Sequence, residues 1–179
     1  KIADREIGEG CPAFVIAELS ANHNMDFERA KQIIKAAKDA GADAVKLQTY
    51  TADTITIDCD NPYFQITQGT LWDGTTLHKL YQTAYTPWEW QGDLIAYAKE
   101  LGLVCFSSPF DPTAVDFLET LDVPAYKIAS FEITDIPLIR KIARLGKPIL
   151  LSTGIAHLED IDLAVRTCRE EGNEKIVLL

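Results

Sequence analysis

Six short apolar runs recur along the chain: Phe14-Val15-Ile16-Ala17, Ala44-Val45-Lys46-Leu47, Leu103-Val104-Cys105-Phe106, Ala125-Tyr126-Lys127-Ile128, Pro148-Ile149-Leu150-Leu151 and Lys175-Ile176-Val177-Leu178-Leu179. Runs this short and this continuous suit strands covered on both faces, which is the condition of a parallel sheet. The segments between them have helical spacing, as in Phe27, Ala30, Ile34, Ala37, in Trp90, Leu94, Ala98, Leu101, and in Ile161, Val165, Cys168. They predict amphipathic crossover helices. Gly41, Gly102, Gly146 and Gly172 follow helical patterns where a left-handed residue ends a helix, and Asp111-Pro112 offers an N-cap followed by proline in the first turn.

Such alternation leaves two parallel α/β architectures, an open doubly wound sheet or a (β/α)8 TIM barrel. No G-x-G-x-x-G follows the first run and no Walker motif occurs, which removes the commonest reason to prefer the open sheet. The chain has 179 residues, enough for one compact domain. With 27 acidic against 17 basic side chains its net charge is −10, which argues against a nucleic-acid or anionic-membrane partner. No h-region opens the chain and no apolar run approaches the ~20 residues of a membrane span. Cys11, Cys59, Cys105 and Cys168 form no C-x-x-C pair. Reduced thiols and a cytoplasmic location are the expectation.

One interval, between the second and third runs, is much longer than the others. It carries Tyr50, Tyr63, Phe64, Trp72, Tyr81, Tyr85, Trp88 and Trp90 in a βα connection, on the side where parallel sheets keep their sites. Two readings stand: a loop packed on its own rings, or a lid or sugar-binding wall.

Polar residues that interrupt buried strands carry the most information, because a buried charge requires a partner or a charged ligand. Glu18 follows the first run, with Ser20, Asn22, His23 and Asn24 after it. Lys46 and Gln48 share one face of the second strand by period-two geometry. Ser107 and Ser108 close the third, Lys127 lies in the fourth ahead of Ser130 and Glu132, and Ser152-Thr153-Gly154 closes the fifth. Five strands thus deliver polar groups to one rim. Two ammonium groups, several hydroxyls and the backbone N–H groups near Gly154 match a small ligand with two anionic groups, such as a phosphate and a carboxylate. A charge pair ~4 Å apart at an effective dielectric near 20 is worth about 4 kcal/mol before desolvation, so a basic pocket can hold an anion inside an acidic protein. His23 is read as a hydrogen-bonding or exposed residue, with metal ligation as the minority alternative, and His78 and His157 as surface positions. No metal-ligand spacing and no G-x-S-x-G elbow is present.

The segments Ala17-Glu18-Leu19-Ser20-Ala21-Asn22-His23-Asn24, Gly41-Ala42-Asp43-Ala44-Val45-Lys46-Leu47-Gln48-Thr49, Phe106-Ser107-Ser108-Pro109-Phe110-Asp111, Tyr126-Lys127-Ile128-Ala129-Ser130-Phe131-Glu132 and Lys147-Pro148-Ile149-Leu150-Leu151-Ser152-Thr153-Gly154 resemble the sialic acid synthase family, in order and nearly end to end. Gly69-Thr70-Leu71-Trp72-Asp73-Gly74 and Ala84-Tyr85-Thr86-Pro87-Trp88-Glu89-Trp90 resemble its pseudaminic acid synthase branch more than its N-acetylneuraminate branch. The resemblance implies a TIM barrel that condenses phosphoenolpyruvate with an open-chain N-acetylated amino sugar, with Mn²⁺ or Mg²⁺ as cofactor. For the pseudaminic branch the sugar is a 2,4-diacetamido-2,4,6-trideoxy hexose; for the other it is N-acetylmannosamine. By the same resemblance, Lys46 and Lys127 hold the phosphoenolpyruvate anion with hydroxyl contacts from Ser130, Ser152 and Ser108. Glu18 is the catalytic carboxylate that orients or deprotonates a reacting group, and Asn22, His23, Gln48, Tyr50 and Trp72 are assigned to the sugar.

Two departures accompany it. Met25 stands where the family has Gly after Asn-His-Asn, and the chain ends in the sixth strand, whereas a full barrel has two further βα units and usually ~250 residues. The resemblance therefore implies that 1–179 is a partial barrel of about the first six βα units. It puts both metal histidines and an antifreeze-like domain, which reaches the partner's site in a homodimer, beyond residue 179. Two other classes remain: a barrel aldolase forming a Schiff base at Lys127 or Lys46, and a non-catalytic sugar-binding or regulatory module.

Overall fold

The computed structural model describes residues 1–67 and 69–179. Among them, β1 (Ile16–Glu18), β2 (Ala44–Thr49), β3 (Val104–Pro109), β4 (Tyr126–Ile128), β5 (Ile149–Leu151) and β6 (Ile176–Leu178) form one sheet. The strands lie in the order β1-β2-β3-β4-β5-β6 and every neighbouring pair is parallel. An order that never reverses is that of a barrel wall, since a doubly wound sheet must switch direction at its first strand. The fold is therefore a half-barrel of α/β type. No helix of the described residues is long and apolar enough to cross a membrane.

The crossovers are α1 (Phe27–Asp39), α4 (Trp88–Glu100), α5 (Pro112–Thr120), α6 (Ile136–Ala143) and α7 (Leu158–Glu170), while α2 (Ala52–Ile55) and α3 (Leu77–Tyr81) are short helices inside the long interval. Local chemistry sets their ends. Asp26 accepts the Arg29 N–H to open α1, and Asp111 accepts those of Thr113 and Ala114 ahead of Pro112 to open α5. Gly102 ends α4 at a φ of 73°, where a side chain would be strained. Ala30 and Ile34 of α1 and Leu94 and Ala98 of α4 bury against Val45 and Leu47 of β2. The larger cluster joins Phe106, Ile128 and Leu151 to Val115, Leu138, Ile139 and Ile142.

Two expectations need correction, and a third is refined. The first strand starts at Ile16 rather than Phe14 and includes Glu18, because the Val15 carbonyl turns aside to accept the Asp43 and Ala44 N–H groups and the Asp43 carboxylate accepts the Val15 N–H. His78 is not a surface residue: it is 5 % exposed, with Nε2 2.8 Å from Asp53 Oδ1 and Nδ1 3.8 Å from Asp58 Oδ1, so it ties α3 to α2. His157 is exposed, at the N-cap of α7. The long interval is not one kind of loop, since Tyr50 is 4 % exposed whereas Tyr63 is 90 % and Trp72 50 % exposed.

Candidate active site

Register decides which strand residues share a face. Glu18 pairs with Lys46, Lys46 with Phe106, and Gln48 with Ser108, so these point to the barrel interior while Val45, Leu47, Thr49 and Ser107 point to the helices. Lys127 has the same inward alternation in β4, because Tyr126 reaches outward to Glu119 of α5 at 2.6 Å. Both lysines are buried, at 6 % and 7 % exposure. They feel each other's charge: burial first, and then the Lys46 ammonium, push the Lys127 pKa down to about 8, while Glu18 and Glu132 oppose the shift.

Each ammonium has a polar anchor. Lys46 Nζ lies 3.3 Å from Glu18 Oε1, whose side chain is largely exposed at the rim. Lys127 Nζ donates to Ile128 O at 2.7 Å and to Ser152 Oγ at 2.5 Å. Since Ser152 accepts from the lysine, its own proton is free to point at a ligand. Gly154, after β5, lets the chain pass close to Ser130, whose Oγ would stand 3.3 Å from a Cβ built there. Ser108 Oγ is buried without a hydrogen-bond partner among the described residues. A buried hydroxyl left open on the face that carries the lysines is a group awaiting an acceptor or donor from outside the protein.

A second open atom is Oε2 of Glu132, in the 3-10 turn Ser130–Thr134 that follows β4. Burial raises this carboxyl's pKa, and the Lys127 charge offsets part of that rise. The same carboxylate helps to raise the Tyr81 pKa, which places α3 near this turn. Sequence reasoning locates Glu132 on the rim without giving it a role. Its signal was present as the only acidic residue in the turn after a lysine-bearing strand.

The residues assigned to the sugar divide. Asn22 is exposed on the loop after β1, its Nδ2 donating to Leu19 O at 3.0 Å. Gln48 is half-buried on the inner face, and its side-chain amide has no protein partner among the described residues. His23 is fully buried, with Nε2 3.1 Å from Thr86 Oγ1 and Nδ1 accepting the Met25 N–H, so both ring nitrogens are engaged by the protein. Burial holds its pKa below the usual value. The Tyr50 hydroxyl donates to Ala84 O and its ring packs edge-on against Tyr81 and Phe110 at 5.5 and 5.3 Å. Trp72 is half exposed beside the fully exposed Leu71. Met25 adopts a φ of 56°, the left-handed conformation that glycine takes without strain, so the turn is kept despite the side chain.

No three His, Cys, Asp or Glu side chains among the described residues come together as a metal site. A groove of about 440 Å³ opens where β3 and β4 diverge, at the other end of the strands near Val104, Cys105 and Pro124, and neither lysine reaches it.

The chain is 51 % identical over 168 residues to a pseudaminic acid synthase of Helicobacter pylori, covering 94 % of this chain and 49 % of that protein. An N,N'-diacetyllegionaminic acid synthase of Campylobacter jejuni is 36 % identical over 162 residues, 90 % of this chain and 48 % of that one. Among solved structures, the N-acetylneuraminic acid synthetase of Leptospira borgpetersenii superposes with a TM-score of 0.85 at 26 % identity, over 99 % of this chain and 57 % of that chain. The chain spans about half the length of the curated relatives it matches. With the NeuB family model matching residues 33–179 on top of this strand order and rim, the chain belongs to the NeuB family.

Proposed function

We propose that the whole protein carrying this chain condenses phosphoenolpyruvate with a 2,4-diacetamido-2,4,6-trideoxy hexose, giving pseudaminic acid and phosphate. The observation that carries the reading is the pair of buried ammonium groups facing one interior, each anchored by an oxygen and flanked by open hydroxyls. A three-carbon donor with a phosphate and a carboxylate offers the matching charges. The higher identity to the pseudaminic acid synthase than to the legionaminic acid synthase supports the choice of sugar.

In this reading Lys46 and Lys127 hold the donor anion, and Ser152, Ser130 and Ser108 supply hydroxyl contacts. The donor's C3 forms a carbon–carbon bond to the sugar aldehyde, water adds at C2, and the C2–O bond to phosphate breaks as the ketone forms. In this reading Glu18, paired with Lys46 yet open to the rim, orients or deprotonates that water. The two cations offset the charge on the departing phosphate. The described residues bring together no ligand set for the divalent ion that the resemblance implies. Its ligands are proposed to lie elsewhere in the whole protein, which the resemblance further supports as a cytoplasmic homodimer.

A second reading has one observation in its favour: a lysine held at a pKa of about 8 is suited to forming a Schiff base. Two hydrogen bonds from that nitrogen and a neighbouring cation fit an anion subsite better. One assay separates the two. The full-length protein is given phosphoenolpyruvate, Mn²⁺ and each sugar, and the product is read by mass spectrometry alongside released phosphate. A nine-carbon 2-keto acid with equimolar phosphate is expected. A borohydride-trapped adduct at Lys127 without phosphate release overturns the synthase reading.

A further inference from the structure

On the helix side of the strand tips, five side chains of 1 % exposure or less make one polar layer: His23, Thr49, Thr86, Gln91 and Ser107. Their protons can be assigned one at a time. Thr49 Oγ1 donates to Gln91 Oε1 at 2.7 Å, so its 2.6 Å contact with Ser107 Oγ is donated by the serine. Gln91 Nε2 donates to the backbone carbonyls of Gln48 at 3.3 Å and Thr86 at 3.4 Å. Thr86 Oγ1 gives its proton to Ser20 O at 3.2 Å, which leaves His23 Nε2 as the donor to Thr86. The Nδ1 lone pair of His23 then accepts the Met25 N–H at 3.2 Å. Every proton is used once, and His23 is fixed as the neutral Nε2–H tautomer, in accord with its burial.

This layer joins four stretches distant in sequence: the loop after β1, the tips of β2 and β3, and the segment 84–91 that closes the long interval. Trp90, packed against His23 and Phe27 at 5.6 and 5.4 Å, covers it on one side. The layer shares no side-chain hydrogen bond with Lys46, Lys127 or Ser152, whose partners are Glu18 and the β4–β5 tips. What it does hold is the backbone of Gln48, the half-buried inner-face residue with an open amide, and the entry of the chain into Asn22.

We infer that Gln91 and Thr49 are positioning residues for the acceptor sugar: they act through Gln48 and the β1 loop and leave the donor anion subsite untouched. The inference rests on the synthase reading above, taken with its expectation that Gln48 and Asn22 meet the sugar. A half-satisfied buried network is costly, so removing one member moves the backbone it braces rather than leaving a gap.

The test uses the full-length protein with three substitutions. Thr49→Val keeps the shape and loses the hydroxyl, Thr49→Ser keeps the hydroxyl, and Gln91→Leu removes the amide. Thr49→Val and Gln91→Leu are expected to raise KM for the diacetamido sugar about tenfold while Kd for phosphoenolpyruvate stays within about threefold, and Thr49→Ser is expected to match the parent. Amide hydrogen exchange, which needs no turnover, is expected to quicken about tenfold in residues 20–25 and 84–91 in Thr49→Val relative to Thr49→Ser. Should Thr49→Val not fold, Gln91→Glu, which keeps the acceptor for Thr49 and loses both donors, supplies the same comparison. Equal weakening of donor and acceptor, Thr49→Ser behaving as Thr49→Val, or unchanged exchange in both segments overturns the inference. A parent enzyme that makes no keto acid overturns the synthase reading instead, and exchange still decides the layer.

Discussion

The lysine-bearing strand tips and the long aromatic interval both attracted attention as sequence, yet they obey different rules. In β2 and β4 a charged residue sits in a buried strand, and the period of two leaves it a single inward direction. In the interval no period applies, and similar rings meet opposite fates. Tyr50 and Tyr81 pack together, Trp88 stacks on Phe117 at 4.8 Å, and Trp90 closes over His23, whereas Tyr63, Leu71 and Trp72 face solvent. A pattern break inside regular structure is therefore the more informative signal, because the surrounding ladder has already fixed where the side chain goes.

The largest expected effect tests the first half of that contrast. Lys46→Ala and Lys127→Ala in the full-length protein should each weaken phosphoenolpyruvate binding by about a hundredfold or more, since each removes a charge-assisted contact, with the melting temperature changed little. Calorimetric titration measures it, and an unchanged Kd for either variant would take that lysine out of the site. The second half is tested by stability. Tyr50→Ala should cost about 3 kcal/mol in denaturant unfolding because it empties a buried ring site, and Trp72→Ala less than about 0.5 kcal/mol. The Trp72 variant should instead lose discrimination between candidate sugars; equal relative rates before and after would return that turn to simple surface.

Titration sharpens the lysine side further. Lys127 is charged below about 8 and neutral above it, so donor affinity should fall roughly tenfold per pH unit above that value. Lys127→Arg, whose guanidinium keeps its charge, should flatten the profile. For folding the sign is opposite. Between about 8 and 10.5 the unfolded chain retains a proton that the native lysine has lost, so this group's contribution to stability rises with pH across that window. A smaller effect than that of Tyr50 belongs to the β1 loop, where Met25→Gly should stabilise the fold by about 1 kcal/mol by relieving a left-handed φ. A loss of stability there would mean that the exposed Met25 side chain has packing not evident from its position.

Much of the site was legible in the sequence for the reason already visible in the strands. Glu18, Lys46, Gln48, Ser108 and Lys127 all interrupt or close apolar runs, and counting by two puts Lys46 and Gln48 on one face. Gln91 was illegible because it lies in Trp-Glu-Trp-Gln-Gly, a helical stretch where a polar residue is the ordinary expectation. His78 misled for the same reason, since its burial depends on Asp53 and α2 rather than on its neighbours in the chain.

The sequence by itself determined the alternation of strands and helices, the parallel class and the shared face of Lys46 and Gln48, because backbone periodicity and capping act over a few residues. Tertiary structure alone decided that the strands follow one another without reversal, that Glu18 faces Lys46, that His23 is sealed beneath Trp90, and that one layer of hydrogen bonds joins residues as far apart as Ser20 and Ser107. Those outcomes depend on which surfaces meet once the helices dock, and a buried polar atom takes its partner from whatever the docking brings within about 3 Å.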